Sequence, residues 1–302
     1  VVGYGQTASP FGGFIPLAGA YGASLACALT AGALVVTLAE LHAARRGDGA
    51  RLVTLALGLL AALAPAVAGR VLQQFEWTEA DGAAVRVALV QGAVPQEIKW
   101  RAEAREPTLV LYSRLSQGHW GREIVIWPET ALPAFPDDIG PFLRQIDARA
   151  RQAGTALLVG MPSGDPRDRY YNSVLMLGAG TGRYDKHHLV PFGEYLPFDG
   201  TLRPLLDFLS IPMSSFTPGD ASQAALTAGG LRIGVSICYE DAYGSEVRKP
   251  LPSANVLVNV SDDAWFGDSL APHQHLEIAQ VRALETGRPM LRATNTGISA
   301  LI

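Results

Sequence analysis

From Val1 through Ala39 the chain carries no charged side chain. The run from about Phe14 to Ala39 exceeds the roughly 20 residues that an α-helix needs to cross a bilayer. A second uncharged run, Leu52–Gly69, is 18 residues long and rich in Leu and Ala. Val71 and Leu72 extend it past Arg70, whose long side chain can snorkel to the interface. The pattern predicts two transmembrane helices forming a hairpin within residues 1–75, joined by a connector at His42–Arg51. Gly22, Gly32 and Pro65 interrupt these runs, but Gly and Pro are tolerated in membrane helices. Two alternatives compete: a buried helix of a large soluble protein for the first run, and a signal peptide for the second, where Ala66-Val67-Ala68 imitates a cleavage site. The length of the first run and the internal position of the second favour spans.

Beyond residue 82 the pattern changes. Short apolar runs, several rich in β-branched residues, recur at Val85–Gln91, Glu123–Trp127, Thr155–Met161, Asn172–Leu177, Leu231–Cys238, Asn255–Val260 and Met290–Ile302, and read as strands. Helical patterns lie between them, most clearly at Arg101–Leu115, Ile139–Gln152 and His275–Thr286, the last with Leu276, Ile278, Ala279, Ala283 and Leu284 on one stripe. Alternating strands and helices predict one α/β domain over residues 82–302, with strands such as EIVIW and NVLVNV buried on both faces. The chain opens within an apolar stretch and stops in a strand-like run, so further helices before it and more chain after it are expected.

Composition sharpens this division. The chain of 302 residues is 48% hydrophobic and 17% charged, whereas soluble domains usually carry nearer a quarter charged. Two cysteines and a net charge of −4 exclude a disulfide scaffold and argue against nucleic acid as a partner. Residues 1–72 hold Arg45, Arg46, Arg51 and Arg70 against Glu40 and Asp48, net +2, leaving −6 for the remainder. The positive-inside rule therefore puts the connector in the cytoplasm and everything after about Glu76 outside.

Three segments carry candidate chemistry. In Ile124–Glu129 a buried strand runs straight into a carboxylate; alone, Glu129 is better explained by a turn facing water. In Tyr184–Glu194 stands Lys186, one of three lysines beside 21 arginines, where a compact ammonium is a plausible requirement. In Gly234–Glu240 a strand delivers Cys238 to its end; alone, that cysteine is better explained by packing, as is Cys27 in the first span. Together they form a complete nucleophilic set: a thiol, a carboxylate to take its proton, and a cation to lower its pKa and hold an oxyanion. No G-x-S-x-G motif offers a serine alternative. His187, His188, His273 and His275 lack metal-site spacing and read as structural or surface residues, so no metal is expected.

Glu129, Lys186 and Cys238, in this order and each at a strand end, resemble the nitrilase (carbon-nitrogen hydrolase) superfamily and, within it, the apolipoprotein N-acyltransferase family of bacterial membranes. The resemblance is carried by VALVQGAVPQEIKW, IVIWPETALP, YDKHHLVPFGEYLP, PMSSFTPG, ICYEDAYG and the segment from Asp262 to Ala300. It implies an α-β-β-α sandwich preceded by membrane helices, in the bacterial inner membrane, with several spans and the catalytic domain on the periplasmic face. It further implies ping-pong transfer of an acyl chain from a phospholipid, through a Cys238 thioester, to the N-terminal amine of a diacylglyceryl-cysteine apolipoprotein, without a cofactor. Glu129 is then the general base, while Lys186 and the Tyr239 backbone N–H stabilise the oxyanions. Glu194 and Glu240 position Lys186 and the amine. Trp100, Trp127, Phe192, Tyr195, Met213, Phe216, Trp265 and Phe266 line an acyl pocket or the loops above it, with core packing as the alternative for about half of them. Activity is expected to rise with pH until an α-amine of pKa about 7.7–8.0 is neutral.

One position departs from the pattern: Ser261-Asp262-Asp263 stands where Ser-Asn-Asp is expected, and loss of the amide is expected to weaken a hydrogen bond near the site. Two rival functions remain, a membrane-tethered amidase that passes the acyl group to water and a non-catalytic membrane scaffold. The scaffold predicts loss of one of the three catalytic residues, and all three are present.

Overall fold

The computed structural model describes residues 1–46, 52–197 and 215–302, which form two compact units: Val1–Gly82 with Gln274–Arg288, and Ala83–His273 with Pro289–Ile302.

In the first unit, α1 (Ile15–Arg45) and α2 (Leu52–Leu72) are two helices long and apolar enough to cross a membrane. Neither is a core helix: Leu25, Leu29, Val35 and Leu38 on α1, and Leu60, Leu63 and Val67 on α2, are exposed. Helices that show leucine outward suit a lipid environment. Small residues let them approach closely. A Cβ on Gly58 would lie 2.2 Å from Thr37 Oγ1, and one on Gly69 2.2 Å from the Pro10 carbonyl oxygen. Gly19, at φ 65, kinks the first turns of α1. The Ala20 N–H at this kink donates to Glu285 Oε1 at 2.8 Å, and Glu285 in turn pairs with Arg282 at 2.8 Å. Residues 47–51 of the connector lie outside the described residues.

The second unit contains two sheets. The first is built from β1 (Val87–Leu89), β2 (Ile124–Ile126), β3 (Ala156–Gly164), β4 (Tyr170–Gly178) and β6 (Arg183–Asp185), in the order β1-β2-β3-β4-β6. The second runs β11 (Ala300–Leu301), β10 (Met290–Thr294), β9 (Val256–Ser261), β8 (Leu231–Ile237), β7 (Leu226–Ala228) and β5 (Gly180–Thr181). Strands β1-β2-β3 and β8-β9-β10 are parallel, and the remaining pairs are antiparallel.

Alternation along each strand builds the layers. Ile124, Ile126, Leu158 and Val174 of the first sheet share one core with Ile233, Val256, Val258, Val260 and Ala293 of the second. The opposite faces of β2 and β3, with Val125, Trp127, Leu157 and Val159, pack against Leu109 and Tyr112 of the helix Ala102–Leu115 and Ile146 and Ala150 of the helix Gly140–Gln152. Ile124–Trp127 of EIVIW is therefore buried on both faces, as its apolar run predicts, while Glu123 at its start is exposed.

The strand expected at Met290–Ile302 is two antiparallel strands instead, β10 and β11. Between them the chain turns at Asn295–Ser299, where Gly297 takes φ 90. Thr294-Asn295-Thr296-Gly297 is the turn signal within an otherwise strand-like run. Strands β5, β6 and β7 are two or three residues long and carry no periodicity from which they could be predicted.

Candidate active site

Glu129, Lys186 and Cys238 each lie within three residues of a strand end, after β2, β6 and β8 respectively. The sandwich brings them together from both sheets. Lys186 Nζ lies 3.4 Å from Glu129 Oε1 and 2.9 Å from Glu194, with its side chain only 1% exposed. Asn172, on β4, donates through Nδ2 to Glu129 Oε1 at 2.7 Å and to Glu194 Oε1 at 2.9 Å. The backbone N–H of Asp262 donates to Glu129 Oε2 at 2.9 Å. Both carboxylate oxygens of Glu129 thus have fixed partners.

The backbone around these groups is constrained. Among the described residues, the non-glycine positions with positive φ are Ala93, Thr130 (44°), Phe192 (63°) and Cys238 (55°). Three of these belong to the segments that carry Glu129, Lys186 and Cys238. A β-branched threonine in this region is a genuine outlier, and such strain gathers at functional sites. The Cys238 turn is held from beneath. Asn259 Nδ2 donates to the Cys238 carbonyl and to Ser236 Oγ, each at 3.0 Å. Asn259 Oδ1 in turn accepts from Arg292 Nη1. Arg292, fully buried, also pairs with Asp263 at 3.1 Å and Asp241 at 3.5 Å.

Glu240 ties two of the segments together. It accepts from the backbone N–H of Ile237 (2.7 Å), His187 (2.7 Å) and His188 (2.9 Å), and from the Tyr184 hydroxyl at 3.0 Å. The chain on the far side of Lys186 is thereby bound to the strand end that presents Cys238. Tyr239 donates its hydroxyl to the Leu189 carbonyl at 2.9 Å, and its ring lies 5.8 Å from Lys186 Nζ.

Burial raises the Cys238 thiol well above its ordinary pKa; the Glu129 charge adds to this, while Lys186 and a hydrogen bond with Ser261 oppose it. Burial also raises Glu129, opposed by Lys186 and reinforced by Glu194. Burial alone would lower Lys186, but the charges of Glu129, Cys238 and Glu194 outweigh it and hold the ammonium above its ordinary range. The surroundings thus favour the neutral thiol, the neutral form of the Glu129 carboxyl and the charged form of Lys186. A thiol in such surroundings can pass its proton to a neighbouring carboxylate and leave a thiolate beside an ammonium.

A cavity of about 490 Å³ opens over Glu129, Glu194, Asn172 and Asp262, walled by Trp100, Phe135, Tyr170, Phe216 and Trp265. The Tyr170 ring lies 4.9 Å from Phe216 and 5.9 Å from Phe135, both edge-on. Trp265 is 73% exposed, and Phe192, Tyr195, Phe266 and Trp100 also reach the surface. Trp127 is in the core instead, its ring tilted against Tyr112 at 5.2 Å with Nε1 donating to Ser116 Oγ at 2.8 Å. Met213 lies outside the described residues. His187 Nδ1 bonds the Gly219 carbonyl oxygen at 2.8 Å, and His188 stacks on Tyr243 and meets Glu246 at 3.2 Å.

Residues 86–302 match the carbon-nitrogen hydrolase family model. The chain belongs to this family. Similar full-length sequences include the apolipoprotein N-acyltransferase of Methylococcus capsulatus, 45% identical over all of this chain, and that of Nitrosomonas europaea, 42% identical over all of it. The chain spans 58% and 59% of those two relatives. A solved carbon-nitrogen hydrolase from Helicobacter pylori covers 71% of the chain and 74% of its own length, at 16% identity and a TM-score of 0.48.

Several site residues were not singled out from the sequence. Asn172, Ser261, Asn259 and Arg292 lie on strands, where alternation assigns them only to a face. Polar residues at buried strand positions, such as Asn259 within NVLVNV, are the signal that marks them.

Proposed function

We propose that this protein is a phospholipid:apolipoprotein N-acyltransferase acting through a Cys238 thioester. The observation that carries the reading is a thiol, a carboxylate and an ammonium in one buried cluster, beside an apolar cavity of about 490 Å³. That size lies within the range of ligand pockets. The names of the relatives support the same reading.

In the first half-reaction Glu129 takes the thiol proton and the Cys238 sulfur attacks the ester carbonyl of a phospholipid. Lys186 and the Tyr239 N–H stabilise the tetrahedral oxyanion. The carbon–oxygen bond breaks, and the lysophospholipid alkoxide leaves with the proton from Glu129. In the second, the neutral α-amine of a diacylglyceryl-cysteine apolipoprotein attacks the thioester and loses a proton to Glu129. The carbon–sulfur bond breaks, and Cys238 recovers its proton. Glu194 holds Lys186, and the aromatic walls take the acyl chain. The two apolar helices make the chain a membrane protein in this reading, set in the bacterial cytoplasmic membrane with its +2 connector inside.

The test is peptide mass spectrometry of the membrane-embedded protein given phospholipid and no acceptor, alongside Cys238→Ser. An acyl-sized adduct on the Cys238 peptide, released by hydroxylamine and by a diacylglyceryl-cysteine peptide, is the expected result. Absence of an adduct in the folded enzyme overturns it, and an adduct discharged by water alone favours the hydrolase.

A further inference from the structure

Lys99 and Asp262 are both buried, and Lys99 Nζ meets Asp262 Oδ2 at 2.5 Å. A buried ion pair of this kind contributes little net stability compared with apolar residues of similar volume, which raises the question of what it does. Both of its members also contact Glu129 or the turn that follows it. Lys99 Nζ donates to the Glu129 carbonyl oxygen at 3.3 Å and to Thr130 Oγ1 at 2.5 Å, across the strained turn that follows the carboxylate. The Asp262 N–H donates to the Glu129 carboxylate. Asp262 is itself held by Asn295 Nδ2 at 3.1 Å, and by the Ala264 N–H and the Thr296 hydroxyl. An aspartate at this position therefore does not weaken the local hydrogen bonding. It supplies the counter-charge of Lys99.

We propose that Lys99 and Asp262 act as a positioning pair for Glu129, clamping its backbone from one side and its carboxylate from the other while presenting it with no net charge. The proposal rests on Glu129 being the general base. The charged and titratable groups facing Glu129 are Lys186 and Glu194 from the segment after β6, Cys238 after β8, Asp262 after β9, and Lys99 from the helical turn Gln96–Lys99. Asp263, the next carboxylate along, turns to Arg292. Removing one member of the pair exposes Glu129 to the other's uncompensated charge. An unpaired Lys99 favours the ionised carboxylate, whereas an unpaired Asp262 disfavours it. A purely structural pair has no reason to act with opposite signs.

The test is the rate of iodoacetamide alkylation at Cys238 against pH, read by peptide mass spectrometry on the full membrane-embedded protein. Variants are Asp262→Asn, Lys99→Gln and the double variant, with Glu129→Gln as control. In Asp262→Asn the acid limb is expected to move about one pH unit down, in Lys99→Gln about one unit up, and in the double variant back to near its original place. Single variants that shift the same way, or either one that does not shift, overturn the proposal. If Lys99→Gln does not accumulate as folded protein, the displacement between Asp262→Asn and the double variant decides. An acid limb that survives in Glu129→Gln overturns Glu129 as the base, a result separate from failure of the pair.

Discussion

Glu129 and Glu194 share the same two donors: Lys186 Nζ lies 3.4 Å from one and 2.9 Å from the other, and the Asn172 amide donates to both. Two carboxylates, Glu129 buried and Glu194 partly so, thus stand around a single ammonium, and the neutral amide reduces their mutual repulsion. Asn172→Leu removes this donor without adding charge. The Glu129 carboxyl then rises further, so the acid limb of acyl-enzyme formation moves to higher pH. Loss of a hydrogen bond to a charged group corresponds to a rate lowered by about tenfold to a hundredfold. A pH–rate profile with an unmoved acid limb counts against the shared-donor account.

Glu129 holds its charge at a cost to stability. Its carboxyl is raised in the folded protein, chiefly by burial. Its contribution to stability is therefore complete below the ordinary glutamate pKa of about 4.3, and is lost as pH rises through the raised value. Glu129→Gln cannot ionise. The Tm of the variant relative to the parent is expected to grow with pH, reaching a gain of about 2–4 °C at neutral pH while acyl transfer is lost. Scanning calorimetry at several pH values measures it, and a gain that shrinks with pH refutes it.

Arg292 is the cation beneath the Cys238 turn, joined to Asp241, Asp263 and Asn259. Arg292→Met removes the cation that pairs with both buried carboxylates, a loss of about 3–5 kcal/mol. Because Asn259 also holds the Cys238 carbonyl, alkylation of Cys238 should slow even under conditions where the variant stays folded. Urea unfolding gives the first quantity and iodoacetamide kinetics the second.

Phe216 packs edge-on to Tyr170 in the wall of the cavity. Phe216→Ala enlarges the cavity and removes apolar contact from a bound chain. The KM for a phospholipid donor is expected to rise by about tenfold with kcat little changed, the signature of lost uniform binding. Donors with bulkier acyl chains should lose least. Steady-state kinetics with a series of chain lengths tests this, and an unchanged order of preference excludes Phe216 from the acyl site.

Local sequence determined much of this protein. Uncharged runs of span length mark α1 and α2, because apolar length is set by bilayer thickness. The double-sided burial of β2 and β9 is legible in EIVIW and NVLVNV, because a strand covered on both faces has no polar side to show. Glu129 and Cys238 stand out because each follows an apolar strand-like run, and Lys186 because it is one of three lysines beside 21 arginines. Only the tertiary structure decided their partners. Lys99 reaches Asp262 across 163 positions and Asn172 reaches Glu129 across 43, and no local period encodes such separations. Trp127 shows the same limit: its ring turns into the core while Glu129, two residues on, enters the site, because both lie past the end of β2, where strand alternation no longer sets the direction of a side chain.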